Sequence, residues 1–509
     1  MKVLLNKILL PLVALLPLAL GDCISSGDQN TINNALAAGG SKTIVQLCAS
    51  ALIQVTGQIT FTAANQEIST AGYPTGSTRA TLQIAPGSTV STIIAGGNHN
   101  GVRILNIQID GNRANTGYDH TGGANIELGG SGSGQVVSHV ASKNPRGWSC
   151  LHVIGSGNAA APCTNATIVN NDIGPCGQSG TDSAANGLWA DGISLDCTKS
   201  LVQDNTITGS TDGGIVIFGS PGSTITGNTI ISSATYLGFG AINMVDGEYS
   251  GSYAGVTVSN NKIVGQKMFN LGIGIGSNVW SFNDPYMLQG PVSITGNTIS
   301  GSVSFPIAIN GWTNGITVSG NSVSGVTSPK SSFADASHCS QAIQTLFNEN
   351  TDLIYYLPGV TGTQSLQSGF VAASSNVTNF LCSTLPLPNS VSYTKNSLNI
   401  VSDSAPFANL HGVVMQYQGD NNVVVYTTTN GETVVWASGH TLSSGCGSPS
   451  LCRMSFQGDG NLVTYYNNVP RWSSGTSGTG NTMVCLNKAP WIQILDTSGN
   501  VIWDTTKSV

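Results

Sequence analysis

Residues 223–232 read STITGNTIIS: a short β-branched run, an asparagine, then an apolar residue and a turn. The same phrase returns as VNNDIG around Asn171, QDNTITG around Asn205, SNNKIVG around Asn261, TGNTISG around Asn297 and SGNSVSG around Asn321. From Asn171 through Asn228 to Asn321 the intervals are 34, 23, 33, 36 and 24 residues. They match one coil of a right-handed parallel β-helix, about two dozen residues, with some coils lengthened by a loop of about ten. The asparagines would stack into an internal ladder, which an ordinary β-sandwich does not explain. His139 and Asn106 are read in the same phase as Asn171. Winding is expected to begin near Thr43.

A second strand in each coil follows from NIEL at 125–128, CLHV at 150–153, GISL at 192–195, GIVI at 214–217, AINM at 241–244 and GIGI at 272–275. Inward apolar residues alternate there with outward variable ones. Such a solenoid needs capped ends. DQNTINNALAAG, bracketed by Cys23 and Cys48, is expected to form a helical cap at the first coil. The rhythm stops near 330. The stretch 331–392 reads as a cap and linker, helical in HCSQAIQTLFNEN and broken by the prolines of TLPLPNS.

Composition agrees with an all-β chain. Charged residues are only 8% of the 509, far below the roughly 25% of an average domain, and 64 residues are glycine. A net charge of −7 with 17 basic residues and no basic cluster excludes nucleic acid and anionic membrane surfaces as partners. Lys2 and Lys7 precede or flank an apolar run, Ile8 to Leu20, ending in small residues, so 1–21 reads as a secretory signal peptide. No later run is long enough to span a bilayer, so membrane insertion is not expected. Export makes disulfides the expected state of the 11 cysteines: Cys23 with Cys48, Cys150 with Cys163 or Cys176, Cys339 with Cys382, Cys446 with Cys452, and one thiol left over. Asn165 and Asn376 occupy glycosylation sequons.

A different pattern governs 393–509. Residues 418–426 read QGDNNVVVY and 457–465 read QGDGNLVTY, so Gln418, Asp420, Asn422, Val424 and Tyr426 recur as Gln457, Asp459, Asn461, Val463 and Tyr465. After the turn, asparagine, valine and tyrosine alternate and share one strand face. That face offers amides, a carboxylate and a phenol around a small apolar patch, the groups a sugar's hydroxyls require. Trp436, Trp472 and Trp503 each close a repeat and are expected to form a shared core. The pattern Q-x-D-x-N-x-V-x-Y resembles the bulb-type lectins of monocots and fungi. The resemblance implies a β-prism of three four-stranded sheets. It also implies mannose held by the Gln, Asp, Asn and Tyr of both repeats, with each valine against the sugar ring. Aligned on its tryptophan, the third repeat puts Cys485, Asn487, Ala489, Trp491 and Gln493 at the motif positions, and no mannose is expected there.

In the coils, WADGISLDC at 189–197 is followed by STDGGIVIFG at 210–219, so Asp191 precedes Asp212 by about one turn. Two carboxylates side by side at one sheet edge are what glycoside hydrolysis uses: an acid for the leaving oxygen and an ionised partner for water or carbon. This segment resembles the polygalacturonase-type glycoside hydrolases, whose N-T-D-G and D-D-C motifs sit on successive coils. The resemblance implies catalytic roles for Asp191 and Asp212. It departs at Gly213, where that family has a second aspartate, and at Phe239, where it has a histidine. Glu127 and His152, in the outward column of Ser194 and Asn243, and Asp246 with Glu248 are further catalytic candidates. Arg113 and Arg146 would serve a lyase. No metal or other cofactor is expected. The reading is a secreted, extracellular carbohydrate-binding protein of mannose-containing glycans, with a β-helix that hydrolyses a plant or fungal wall polysaccharide. The alternatives are a lyase, or a wall or defence lectin whose β-helix is a rigid scaffold.

Overall fold

The computed structural model describes residues 23–155, 162–184, 186–245, 251–279, 288–326, 353–356, 364–372, 389–404, 406–410, 412–427 and 433–507. The expected signal peptide, the HCSQAIQTLFNEN helix, the TLPLPNS linker, Cys339, Cys382 and the Asn376 sequon lie outside them. The chain divides into two compact units, the first ending by Ser383 and the second running Thr384–Val509.

The first unit is a right-handed parallel β-helix. One face is an eleven-stranded parallel sheet running coil by coil from Ile44–Leu47 to Gln364–Leu366. Thr224–Thr226, for instance, pairs with Leu201–Gln203 below and Val256–Ser259 above. The alternating residues decide what goes inside: Ile225 and Ile230 are fully buried and join one continuous core. Burial of such side chains, roughly 1.5–3 kcal/mol each, drives the stacking.

Fully polar groups also lie inside. The Asn171 side-chain amide donates to Oδ1 of Asn205 at 2.8 Å, and the relay continues through Asn228, Asn261 and Asn297 to Asn321. Each of these oxygens also accepts the preceding asparagine's backbone N–H at 3.0 Å. Every amide is thereby satisfied in a dry interior. The ladder begins at Asn171, not earlier. His139 and Asn106 fall one residue short of the column, in the left-handed turn position that Asn170 holds in its coil. Val140 and Ile107 take the ladder slot instead, and Val140 offers only its N–H to Asn171 Oδ1.

At the amino end, helix Gln29–Gly39 is capped by Asp28, whose carboxylate accepts the Asn30 and Thr31 N–H groups. Ile32 and Leu36 seal the first coil, and Cys23–Cys48 ties the entering chain to it. At the other end the winding outlasts the asparagine rhythm. Leu353–Tyr356 pairs with Thr298–Asn310, Phe370–Ala372 with Leu353–Tyr356, and Gln364–Leu366 with Ile316–Ser319. The coils therefore continue inside the stretch read as cap and linker. Cys150 pairs with Cys176, while Cys163 pairs with Cys197, a partner that spacing did not suggest.

The second unit is a β-prism of three four-stranded antiparallel sheets. Ala408–Leu410 leads directly into the hairpins Val413–Tyr417, Val423–Thr427 and Thr433–Ala437. The other sheets borrow their first strand from earlier in the chain. Leu398–Val401 joins the Cys452–Ser473 strands, and Ser390–Thr394 joins those of Thr482–Asp504. Trp436, Trp472 and Trp503, one per sheet, meet edge to face with ring centroids 5.8–6.4 Å apart. Cys446–Cys452 ties the loop after Thr433–Ala437 to the first residue of Cys452–Phe456, and Cys485 is a buried free thiol.

Candidate functional site

Two kinds of site emerge, one on each unit. In the prism, the hairpin 413–427 turns through Gln418–Asn422, and Asp420 fixes the turn by accepting the Asn422 N–H at 3.0 Å. Gln418 then reaches across and donates to the Tyr426 hydroxyl. Asn422 points its carbonyl oxygen at Ser438 Oγ (2.9 Å) and the Gly439 N–H (3.0 Å). Val424 lies outside the prism core cluster yet is only 2% exposed. All five motif residues are thus brought to one outward face.

The second hairpin repeats this. Asp459 accepts the Asn461 N–H at 3.0 Å, Gln457 donates to the Tyr465 hydroxyl, Ser474 Oγ and the Thr476 N–H bond Asn461 Oδ1, and Val463 is 3% exposed. Here Ser477 adds a bond to Asp459 Oδ2 at 2.7 Å. That bond and the Asn461 N–H hold the Asp459 carboxyl below its ordinary value.

The third repeat needs a corrected alignment. The Leu486 N–H bonds the Trp491 carbonyl just as Gln418 bonds Asn422, so the turn is one residue longer. Leu486, Trp491, Gln493 and Leu495 are the true counterparts of Gln418, Asn422, Val424 and Tyr426. Cys485 is a core residue facing inward like Tyr417 and Phe456. Aligning on the tryptophans displaced the reading because the loop before Trp503 is two residues shorter than the one before Trp436: Ile494 pairs with Trp503 as Val425 pairs with Trp436.

On the β-helix wall, strands Asp191–Leu195 and Gly213–Ile217 pair in register with Ile193 opposite Ile215. Asp191 therefore stands opposite Gly213, with Asp212 one residue before it. Asp191 accepts the Gly213 N–H and the Ser194 hydroxyl, both at 2.8 Å, and Ser194 also shares a 2.7 Å hydrogen bond with Ser149. Burial pushes the Asp191 carboxyl up to about 6, against the opposing pull of those bonds and of His152. Asp212 is held well above the carboxylate range by burial and by the Asp191 charge. Its buried Oδ1 has no hydrogen-bond partner among the described residues.

Glu127, His152, Ser194, Val216 and Asn243 do form one outward column across successive coils. Glu127 Oε2 and His152 Nδ1 are 3.2 Å apart. Asn243 is fully buried, and neither side-chain polar atom finds a partner among the described residues. Asp246 and Glu248 lie outside the described residues. Arg146 is spent on the scaffold, donating to the Gly117 and Val90 carbonyls. Arg113 is not: its buried Nη1 has no partner among the described residues, and burial lowers its affinity for the proton.

Tyr118, which sequence reading missed, donates to the Trp189 carbonyl at 2.8 Å and carries the Arg113 guanidinium 5.9 Å over its ring. Burial first, and the Asp212 charge next, keep its phenol protonated. Phe239, the position where the resembled hydrolases have histidine, is buried and packs at 5.7 Å on Trp189. Cys163, Asp196 and Cys197 converge like metal ligands, but the Cys163–Cys197 disulfide leaves no thiolate to bind an ion.

No protein-family model and no curated protein matches this sequence. Among solved structures, it is similar to a monomeric monocot mannose-binding lectin from Gastrodia elata, 26% identical, covering 24% of this chain and 99% of that one with a TM-score of 0.18. The snowdrop (Galanthus nivalis) mannose-specific agglutinin, in complex with methyl-α-D-mannoside, is 29% identical over 22% of this chain and 86% of its own, TM-score 0.15. The A-module of an Azotobacter vinelandii mannuronan C-5 epimerase is 16% identical over 69% of this chain and 97% of its own, TM-score 0.37. The solved structures similar to this chain thus include both bulb-type lectins and a parallel β-helix module.

Proposed function

We propose that this is a secreted glycan-acting protein: the prism binds mannose at two sites, and the β-helix wall is the centre of a glycoside hydrolase acting on a wall polysaccharide. The observation that carries the binding reading is the twofold recurrence of Gln, Asp, Asn, Val and Tyr on one solvent-side face, with Gln already bonded to Tyr in both. Each site is shallow, and net gains of about 0.5–1.5 kcal/mol per hydrogen bond make repetition the source of useful strength.

For catalysis, the supporting observation is the juxtaposition of Asp191, buried, and Asp212, half-buried, whose proton affinities are both raised. Of the two, Asp212, which burial and the Asp191 charge both discourage from ionising, is the one assigned the proton. Asp212 gives it to the glycosidic oxygen as the bond to the anomeric carbon breaks, and ionised Asp191 directs water or attacks that carbon. Glu127 and His152 extend the wall on which a chain would lie. A lyase is the second reading, favoured by Arg113 beside Tyr118, the buried Nη1 of Arg113 having no hydrogen-bond partner among the described residues.

One assay addresses both readings. The purified protein is incubated with wall polysaccharides, following new reducing ends and the absorbance of unsaturated products. Hydrolysis predicts reducing ends without that absorbance, lost in Asp212→Asn. Unsaturated products would replace the hydrolase by the lyase, and no product from any glycan would leave the wall as scaffold. Retention on mannose-agarose, abolished by combined Asp420→Ala and Asp459→Ala, tests the prism.

A further inference from the structure

The two prism sites match in their five motif residues and differ in what surrounds them. In the first, the strand partners of Tyr426 are Val414 and Val434, the latter 54% exposed. In the second, the partners of Tyr465 are Arg453 and Pro470. The Arg453 guanidinium lies 4.7 Å over the Tyr465 ring, whose hydroxyl receives Gln457. No carboxylate lies within ion-pair distance of Arg453 among the described residues, and its buried Nε has no partner there.

A second substitution points the same way. Gly419 of the first turn has the Asp403 carboxylate against it, whereas its counterpart Gly458 has the neutral Asn396 amide. Lys395, adjacent to Asn396, lies close enough to Asp459 to favour its ionised form. The first site therefore carries two carboxylates, Asp403 and Asp420, and an apolar rim. The second carries one carboxylate, Asp459, with two cations. A guanidinium held over a ring, with no carboxylate of the described residues in ion-pair distance, is a ready partner for an anionic oxygen.

We propose that the second prism site extends into a cationic subsite, built on Arg453 with Lys395, that takes a hexose bearing a neighbouring phosphate or carboxylate, whereas the first site takes neutral glycans. This rests on the mannose-binding reading above. It would let one module hold both neutral mannose and an acidic glycan.

The test uses the full chain with one site silenced. In Asp420→Ala only the second site remains, and in Asp459→Ala only the first. Titration calorimetry compares methyl α-mannoside with mannose 6-phosphate and with a mannosyl-glucuronate disaccharide, which separates phosphate from carboxylate as the source of charge. With only the second site, at least one anionic probe binds about three- to tenfold tighter than methyl α-mannoside at low salt, and 0.5 M NaCl erases the gain. Adding Arg453→Gln removes that preference, and Arg453→Lys restores part of it. With only the first site, neither acidic probe gains. Equal affinities for neutral and acidic probes at the second site, or a preference that survives Arg453→Gln, overturns the subsite while leaving mannose binding intact. Failure of both single-site chains to bind methyl α-mannoside removes the mannose reading and this inference with it.

Discussion

The β-helix wall and the prism sites are assembled from the same functional groups, carboxylates beside amides and a phenol, yet they hold them in opposite states. In the prism every motif group that could be left wanting is bonded within the site: Gln to Tyr, Asp to a turn N–H, Asn to a serine and a backbone N–H. On the wall, Asp212 Oδ1, both polar atoms of Asn243 and Arg113 Nη1 are buried without partners among the described residues. A buried orphan costs roughly 1–3 kcal/mol. The prism has orphans too, at Asn421 Nδ2, Arg453 Nε, Thr464 Oγ1 and Trp503 Nε1, but none of them is a motif side chain, whereas on the wall the cost falls on the candidate groups themselves. On the proposed reading, the difference is that between a surface preorganised to recognise and one electrostatically loaded to react.

The largest effect expected from that contrast is on the dyad. Asp212→Asn removes the proton donor, and turnover of whichever glycan proves to be cleaved falls by about 10²–10⁴. The same change stabilises the fold. A carboxyl whose folded value is raised contributes stability only below its unfolded value, and that contribution is lost as pH rises through the folded one. Near pH 8 the neutral amide avoids this loss, and melting should rise by about 1–3 °C. An active Asp212→Asn enzyme, or one that melts lower, would show the wall to be no more loaded than the prism. The pH profile supplies a second view: with Asp191 at about 6, activity should fall on the acid side as that group is protonated.

In the prism the expected loss is avidity. Either Asp420→Ala or Asp459→Ala alone leaves one site, and binding to a dense mannose surface should weaken about 10- to 100-fold relative to the parent. The double variant should not be retained at all. A single substitution that abolishes binding would mean that one hairpin carries everything, and the sites could not then be equals. In the coil interior, Asn228→Ala cuts a relay whose members are all satisfied, leaving the Asn205 amide and N–H without their acceptor. A loss of about 1–3 kcal/mol is expected in chemical denaturation, with glycan binding by the prism unchanged.

How much of this could be read from sequence follows from how strictly each position is constrained. A stacked amide must recur once per coil, so the ladder from Asn171 to Asn321 was legible. Its last rung is Gln367, whose side-chain oxygen accepts from Asn321 at 2.9 Å; it was hidden by a different residue type 46 positions on. The phase slip at His139 and Asn106 has a physical cause, since the left-handed slot beside the ladder also favours Asn, Asp and Gly. Asp191, Asp212, Glu127 and His152 were found because coil period brings them into neighbouring rows. Tyr118 comes from the irregular segment after Asp110, where no period applies; Arg113, in the same segment, was singled out from sequence only as a cation that would serve a lyase. In the prism the five-residue motif brought out both candidate sites at once, whereas Arg453 lies outside the motif and gains meaning only from its cross-strand place opposite Tyr465.

The smallest effect expected concerns Ser477, which bonds Asp459 at 2.7 Å. Among the described residues Asp420 receives no such side-chain bond. Asp459 is exposed, so water replaces the hydroxyl in Ser477→Ala, and affinity at the second site should drop only about two- to fivefold. The carboxyl should also relax upward toward its ordinary value, because this bond is the chief cause of its depression. A depressed carboxylate keeps its ionised form, and the turn it fixes, until pH falls through its folded value. Binding by the second site, isolated with Asp420→Ala, should therefore fail at a higher pH in Ser477→Ala than with Ser477 present, when followed in an acid titration against mannose-agarose. Coincident titrations would mean that Ser477 takes no part in setting the two hairpins apart.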